Sequence, residues 1–234
     1  MIDRVKDAPL RGETEIYNLK DCSGRTPIFV GDRKVQIVLL YSGLKNMELT
    51  RPDSTTLLWS FTREMYDTVS ISIINTLRDQ VNQRVTFQNQ NHIHGLDAIA
   101  NRTPVFGAEH ERIVKVFLEA AKTLDIHLDT VMDDGYTLLH NCVRKNIVTP
   151  YILRELGHQR YMTYRGITPM LYATNYSKEA VELYIRFMAI ETSEKINLYD
   201  HCLGKSMLSH IIANKLCPAL SSKNTRKLAS KRLI

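Results

Sequence analysis

The sequence has few of the residues that mark stapled, fibrous or membrane-spanning proteins. Only four of its 234 residues are cysteine, and no Cys-x-x-Cys pair occurs, which excludes a zinc ribbon and a dense disulfide framework. Ten glycines and seven prolines exclude collagen-like and proline-rich chains. The apolar runs, such as Ile37–Tyr41, are far shorter than the roughly 20 residues of a membrane helix. We therefore expect no transmembrane segment.

What remains is an ordinary globular composition. The chain is 44% hydrophobic and 24% charged, and its length suits one or two domains. The first ten residues include the charges Asp3, Arg4, Lys6 and Asp7, which do not fit the apolar segment of a signal peptide. We expect a soluble protein of the cytoplasm or the nucleus, with its cysteines reduced.

Positive charge is concentrated at the C-terminal end. Residues 1–200 hold 24 basic and 25 acidic residues, whereas residues 201–234 hold seven basic residues and no acid. This end lacks aromatic residues, and we predict a disordered tail over 218–234. A basic tail either attracts nucleic acid, an anionic membrane or a nuclear import receptor, or only keeps the protein soluble. The cations of the predicted tail are Lys223, Arg226, Lys227, Lys231 and Arg232.

One phrase recurs along the chain: a turn, a residue that can cap a helix, and an apolar helix. Glycine permits the positive φ of a tight turn, and a Thr, Asp or Ser side chain can accept a hydrogen bond from the first N–H groups of the helix. Proline suits the first helical position. The predicted caps are separated by 30, 41, 40, 31 and 38 residues, and they are Thr26, Thr56, Asp97, Thr137, Thr168 and Ser206.

A second apolar run at helical spacing follows several of these starts. Each repeating unit is therefore predicted as turn, short helix, turn and longer helix. One run, Val69–Leu77, has many β-branched residues and fits either a helix or a strand. The other runs are Val35–Leu40, Glu111–Leu118, Tyr151–Leu156 and Ala180–Ile185.

Two of the helix starts, Arg25–Phe29 and Gly135–His140, resemble the ankyrin-repeat signature Gly-x-Thr-Pro-Leu-His-x-Ala, whose period is near 33 residues. The histidine of that signature is present only as His140, and Trp59 occupies its position in the second copy. The resemblance implies an all-α solenoid of about five or six stacked helix-turn-helix units. This domain would cover 14–217, between a lead-in over 1–13 and the basic tail.

The same resemblance implies a protein–protein interaction scaffold, an adaptor or inhibitor without enzymatic activity, cofactor or metal. Its partner would be another protein, bound through the turn tips and first helices. Carried over by position, the partner-binding residues are Ser23, Arg25, Thr55, Asp134, Tyr136, Arg165, Ile167 and Lys205. The alternative function is association with nucleic acid or an anionic surface through the basic segment 201–234.

Three features give weaker indications of chemistry. His140 and Cys142 lie close in sequence, as in a Cys–His nucleophile, but residues two apart on a helix point in different directions. Residues Gly204–Ser206 resemble the end of a phosphate-binding loop but lack the glycine five residues earlier. His92 and His94 have no set of metal ligands nearby in the sequence. We interpret all three as structural, and Trp59 as either a packing residue or an interaction anchor.

Overall fold

The computed structural model describes residues 14–42, 47–51, 53–64, 67–87, 100–187, 201–202 and 205–206. These residues are mainly helical, which confirms the predicted class. In chain order the α-helices are α1 Pro27–Val30, α2 Arg33–Tyr41, α3 Leu57–Glu64, α4 Ile71–Thr76, α5 Glu111–Thr123, α6 Leu138–Arg144, α7 Pro150–Glu155, α8 Pro169–Tyr176 and α9 Lys178–Phe187. Short 3-10 helices lie at Thr14–Asn18, Arg78–Gln80, Pro104–Gly107 and Gly157–Gln159.

Two short antiparallel strand pairs accompany the helices. Strand β1, Val85–Phe87, pairs with β2, Ala100–Arg102, and β3, His201–Cys202, pairs with β4, Lys205–Ser206. Neither pair is predicted from the sequence. The predicted helix start at Ser206 is wrong, because Ser206 lies in β4, and residues 207–234 lie outside the described part of the chain.

The chain divides into two compact units. The first comprises Met1–Ala108 and Glu119–Leu128, and the second Glu109–Leu118 and Asp129–Ile234. Each unit buries its own apolar residues where two helices follow one another. In the first these include Ile28, Leu57, Leu58, Phe61 and Ile74, and in the second Leu138, Leu139, Ile152, Leu153 and Val181.

Four of the six predicted starts, Thr26, Thr56, Thr137 and Thr168, directly precede a helix, as expected. The hydroxyl oxygens of Thr56, Thr137 and Thr168 accept hydrogen bonds from the backbone N–H groups three residues later, at 3.1, 3.2 and 3.4 Å. Thr26 occupies the same position before Pro27, but its hydroxyl makes no capping hydrogen bond and instead donates to the Glu48 carbonyl at 3.4 Å.

The third helix start differs from its prediction. The predicted cap Asp97 lies outside the described residues, but Ala100, which would continue its helix, lies in β2. The described start is Thr103, with extended backbone angles and Pro104 in the first helical position. The sequence analysis missed this Thr-Pro pair because no glycine precedes it.

The five predicted second helices are present as α2, α4, α5, α7 and α9, and in four of them, all but α5, a side chain ahead of the helix accepts a hydrogen bond from its first turn. Val69–Leu77, which fitted a helix or a strand, forms α4, because the Ser70 hydroxyl accepts from the Ile73 N–H and begins a helix there. The corresponding caps of α2, α7 and α9 are the side chains of Asp32, Thr149 and Ser177.

A buried glutamine joins the two ends of a repeating unit within the first compact unit. The Gln80 side-chain oxygen accepts from the Leu58 N–H at 2.9 Å, in the first turn of α3. Its amide nitrogen donates to the Leu49 carbonyl at 3.2 Å, ahead of the turn that leads into α3. The glutamine thus supplies the partner of the Leu58 N–H, which would otherwise be costly to bury, and adds a second donor to the Leu49 carbonyl, which also accepts from the Leu57 N–H at 3.0 Å.

The second compact unit repeats this arrangement with Gln159. Its oxygen accepts from the Leu139 N–H at 3.1 Å, and its nitrogen donates to the Thr130 carbonyl at 3.4 Å and to the Thr130 hydroxyl at 2.7 Å. In both units the partners lie two residues after the helix-starting threonine and seven residues before it. The glutamine clamp, as we call Gln80 and Gln159, is therefore a recurring element that the sequence analysis missed.

We expect Gln159→Leu to lower the free energy of unfolding by about 2–3 kcal/mol, because the buried Leu139 N–H loses its partner. Gln80→Leu should cost a similar amount. Urea unfolding of each full-length variant checks both values. Gln83→Leu, at an exposed position, is the matched control and should change stability by less than about 0.5 kcal/mol. A Gln159→Leu loss no larger than the control would show that the clamp does not contribute.

Substitutions at two glycines of the second unit distinguish the cost of backbone strain from the cost of a steric clash. Gly135 and Gly166 have φ of 82° and 77°, so any side chain there costs about 1 kcal/mol. A Cβ on Gly135 would also lie 2.6 Å from the Thr163 carbonyl oxygen, whereas one on Gly166 would meet nothing within 4 Å. We expect Gly166→Ala to cost about 1 kcal/mol and Gly135→Ala about 2–4 kcal/mol in thermal unfolding. Equal losses would contradict the close approach of Thr163.

Candidate partner-binding face

Seven of the eight predicted partner-binding residues, all but Lys205, lie on or beside four short turns that precede first helices. Each turn has a residue with positive φ two positions before the threonine, namely Gly24, Ser54, Gly135 and Gly166, with φ of 73°, 65°, 82° and 77°, and in the last turn Arg165 also has a positive φ, of 52°. We call the residue pairs Ser23–Gly24, Asp53–Ser54, Asp134–Gly135 and Arg165–Gly166 the turn tips.

Three of the four turns have the same hydrogen bonds. In each, the N–H five residues before the threonine donates to the carbonyl one residue before it, as from Met132 to Tyr136 at 2.8 Å. The positive-φ residue donates back, as from Gly135 to Met132 at 2.9 Å. An aspartate carboxylate also accepts backbone N–H groups within each turn: these are Asp21, Asp53 and Asp134. This bonding makes each turn a fixed platform for its exposed side chains.

The structure exposes four of the eight predicted residues: Ser23, Arg25, Asp134 and Arg165. Thr55 and Ile167 are half-buried beside their turns. Lys205 lies in β4, and its side chain is outside the described residues. The exposed side chains differ in chemistry from one turn tip to the next: they are a hydroxyl at Ser23, carboxylates at Asp53 and Asp134, and a guanidinium at Arg165.

Arg25 is exposed, but its charge is already paired. Its Nε and Nη2 atoms both lie 2.9 Å from one oxygen of the Asp21 carboxylate, within the same turn. The Arg25 backbone N–H also bonds this carboxylate, and it is the main cause that lowers the pKa of Asp21 below its ordinary value. Arg25 therefore holds its own turn together in addition to facing solvent.

Tyr136 is a wrong prediction, because its side chain is 2% exposed and cannot reach a partner. Its ring stacks on His140 at 5.5 Å between centroids and meets the edge of Tyr164 at 5.0 Å. Tyr172 joins the same cluster, with its ring 5.6 Å from His140, and Tyr176 stacks on Tyr172 at 4.5 Å. Burial of a large aromatic ring among other rings is more favourable than its exposure at the turn. Assigning Tyr136 by its position in the repeating phrase took no account of this.

His140 links its own helix start to the following turn. Its Nε2 atom lies 2.9 Å from the Ile167 carbonyl oxygen, which can only accept, so Nε2 carries the hydrogen. Its Nδ1 atom is then an acceptor for the Thr137 N–H at 3.3 Å and the Thr137 hydroxyl at 2.9 Å. Burial, the main cause, lowers the pKa of His140 below its ordinary value of 6.5. The neutral ring is therefore the form that fits this network.

Cys142 does not form a reactive pair with His140. The thiol is fully buried, and burial raises its pKa to about 12. Because the thiolate is the nucleophilic form, a thiol with this pKa is inert near neutral pH. The structural interpretation of Cys142 as a small packing residue is therefore the one that the geometry supports.

Trp59 is likewise a packing residue. Its side chain is 4% exposed, so its alternative interpretation as an interaction anchor is wrong. It packs near Gly107, where an added Cβ would lie 3.6 Å from the indole ring. The other weak indications lie outside the described residues: His92, His94 and the five cations of the predicted tail.

The sequence analysis missed a group of exposed residues around the last turn tip. Tyr161 and Met162 are exposed just ahead of it, and Arg160 lies beside the Tyr161 ring at 5.8 Å. A signal for this group was available in the sequence, because no acidic residue occurs between Glu155 and Glu179.

We expect the stability of the protein to fall as the pH is lowered through about 6.5, because the unfolded chain binds a proton at His140 more readily than the folded chain does. The loss begins near the unfolded pKa and continues down to the lowered folded pKa. Urea unfolding at a series of pH values measures this slope. His140→Gln should be less stable at neutral pH but should lack this component of the slope. An unchanged slope in the variant would assign the dependence to other groups.

Comparison of the sequence with protein-family models and with curated proteins finds no relative. No protein-family model matches the chain, and no curated protein is significantly similar to it. Within the part that the structure describes, no helix is long and apolar enough to cross a membrane. The same residues contain no group of three or more His, Cys, Asp or Glu side chains placed to hold a metal ion.

Proposed function

We propose that the chain is a non-enzymatic scaffold of the ankyrin-repeat type that binds another protein through its turn tips and first helices. As an adaptor or an inhibitor, it would act by occupying a surface of its partner. The observation that carries the proposal is the recurrence of one order of elements, in which a fixed turn with an exposed tip leads into a threonine-started first helix and then a second helix.

The spacing of the described helix starts supports this architecture. Thr26, Thr56, Thr103, Thr137 and Thr168 are separated by 30, 47, 34 and 31 residues. Three of these intervals lie close to the ankyrin period near 33. The long interval contains the strand pair β1–β2, and a repeat fold tolerates insertions between its helix pairs. We propose about five or six stacked units over 14–217, with a cytoplasmic or nuclear setting.

The His140 network also supports the proposal. It connects Thr137 to the carbonyl of Ile167, which immediately precedes the next helix-starting threonine. A bond from one repeat to the next is what a solenoid requires, because each repeat buries its apolar face only against its neighbours. The surfaces between neighbouring repeats would be apolar, whereas the side chains at the turn tips can differ from repeat to repeat. Recognition would therefore be concentrated in tip residues such as Ser23, Asp134 and Arg165.

The second candidate is association with nucleic acid or an anionic surface through residues 201–234. It is favoured by the seven basic residues and the lack of any acid in that segment. Binding of this kind should weaken steeply with salt, because it depends on the release of counterions.

Affinity capture from cell lysate with full-length variants separates these proposals. The tip variant combines Asp134→Asn with Arg165→Asn, since asparagine keeps the turn acceptor at 134 and tolerates the φ of 52° at 165. Its matched control combines Glu111→Gln with Arg186→Gln, which are exposed on helices α5 and α9 and leave the net charge equally unchanged. We expect a protein partner that the control retains and the tip variant loses by at least about tenfold.

A third variant replaces the five tail cations by glutamine. Capture that survives the tip variant, but is lost in the tail variant and at moderate salt, would overturn the scaffold proposal and favour the basic segment. Retention of the same partner by all three variants would show that neither the tips nor the tail carries the binding.

A further inference from the structure

The last described turn tip lies in an acid-free stretch of the chain. Between Glu155 and Glu179 there is no acidic residue, whereas the stretch contains two arginines, one lysine and four tyrosines. Tyr161, 63% exposed, and Met162, 37% exposed, lie at its surface with Arg165. We call Arg160, Tyr161, Met162 and Arg165 the basic aromatic patch.

Arg160 is held in place before any partner arrives. Its Nε donates to the Gly157 carbonyl at 2.8 Å, and its guanidinium carbon lies 5.8 Å from the centre of the Tyr161 ring. A Cβ added to Gly157 would come within 3.8 Å of this guanidinium, so the arginine lies close against the glycine. A guanidinium fixed in this way loses less conformational entropy on binding than a freely rotating one.

Arg165 is fixed by a tighter turn than the other three tips have. Tyr164 and Ile167 exchange two backbone hydrogen bonds at 3.0 Å, with Arg165 and Gly166 both in the left-handed region. The Arg165 guanidinium carbon lies 5.2 Å from the centre of the Tyr164 ring. Arg165 makes no ion pair with any residue of the described ranges, so its hydrogen-bond donors remain available to a carboxylate.

The neighbouring turn tip, Asp134–Gly135, bears on which kind of anion the basic aromatic patch can bind. Asp133 and Asp134 are exposed, and a Cβ on the adjoining Gly135 would touch the Thr163 carbonyl, so this acidic tip directly abuts the acid-free stretch. A nucleic-acid backbone carries phosphates at every step and would meet these carboxylates beside the patch. A short acidic segment of a protein concentrates its charge and can also cover the apolar surfaces of Tyr161 and Met162.

We propose that the basic aromatic patch binds an acidic segment of the partner protein, with carboxylates on Arg165 and Arg160 and apolar contact at Tyr161. This proposal rests on the scaffold function and names the chemistry of the partner at one tip. The abutting acidic tip adds discrimination, because it repels a segment whose negative charge extends past the patch.

Selection from a phage library of random twelve-residue peptides on the full-length protein tests the proposal. We expect the selected peptides to be enriched in Asp and Glu over the starting library, with an apolar residue among the acids. Fluorescence anisotropy of the best peptide should show an affinity at least about tenfold weaker for Arg165→Glu. Arg165→Asn, which suits the positive φ, should lose less, and thermal unfolding verifies that both variants fold.

Arg186→Glu is the matched control, because it makes the same charge change at an exposed position on α9 and should alter the affinity by less than about twofold. Tyr161→Ser should weaken the peptide independently of salt. The proposal is overturned if the selected peptides show no acidic enrichment, or if Arg165→Glu and Arg186→Glu weaken them equally. If no peptide is selected but oligothymidylate binds and is lost in Arg165→Glu, the patch is a nucleic-acid site instead. Tip-dependent capture of a protein, without acidic selection, would leave the scaffold function intact and reject only this partner chemistry.

Discussion

The fold depends on supplying partners to the backbone groups that are buried where the first helices begin. A helix leaves its first N–H groups without partners of its own, and Leu58 and Leu139 are fully buried at such positions. An unpaired amide there would cost about 1–3 kcal/mol. Gln80 and Gln159 reach these groups from 22 and 20 residues further along the chain. The start of a helix pair and the turn that ends it are therefore stabilised by one side chain, so local structure and packing form together.

The features that the sequence predicted well are those set by neighbouring residues. Thr56, Thr137 and Thr168 could be recognised because a cap acts within three residues of itself. Thr103 was missed because the prediction looked for a glycine turn, while the real start follows the strand pair β1–β2 and carries only the Thr-Pro signal. The glutamine clamp could not be predicted from a single copy, since a glutamine near the end of a helix is usually an exposed side chain.

In the candidate site, too, the exposure of a residue could be predicted where it depends on the residues of its own turn, and not where it depends on the next turn. Asp134 and Arg165 were correctly expected at the surface, because the turn geometry around each is determined by residues within the turn. Tyr136 occupies an equivalent position to Arg25 and Thr55, but its ring is buried against His140 and Tyr164, of which the latter belongs to the next turn. Which turn residue faces inward therefore depends on the residues of the neighbouring turn, and a chain position alone does not reveal it.

The backbone of each turn is held by its own hydrogen bonds, while the side chains at its tip face solvent. This division bears on the proposed recognition of a partner. In the first three turns the hydrogen bonds use backbone groups and one aspartate each, so a change at Ser23 alters the surface without removing a buried contact. A change at Arg165 alters the surface and also removes its contact with the Tyr164 ring. In the scaffold that we propose, rigid turns would lose little entropy on binding, and the charges at the tips would determine the choice of partner. In the second unit an acidic tip abuts a basic, aromatic one, so a partner would have to match both signs in the correct order. Such a pattern would reject uniformly charged surfaces of either sign, and specificity would then come from the arrangement of the charges on the two tips.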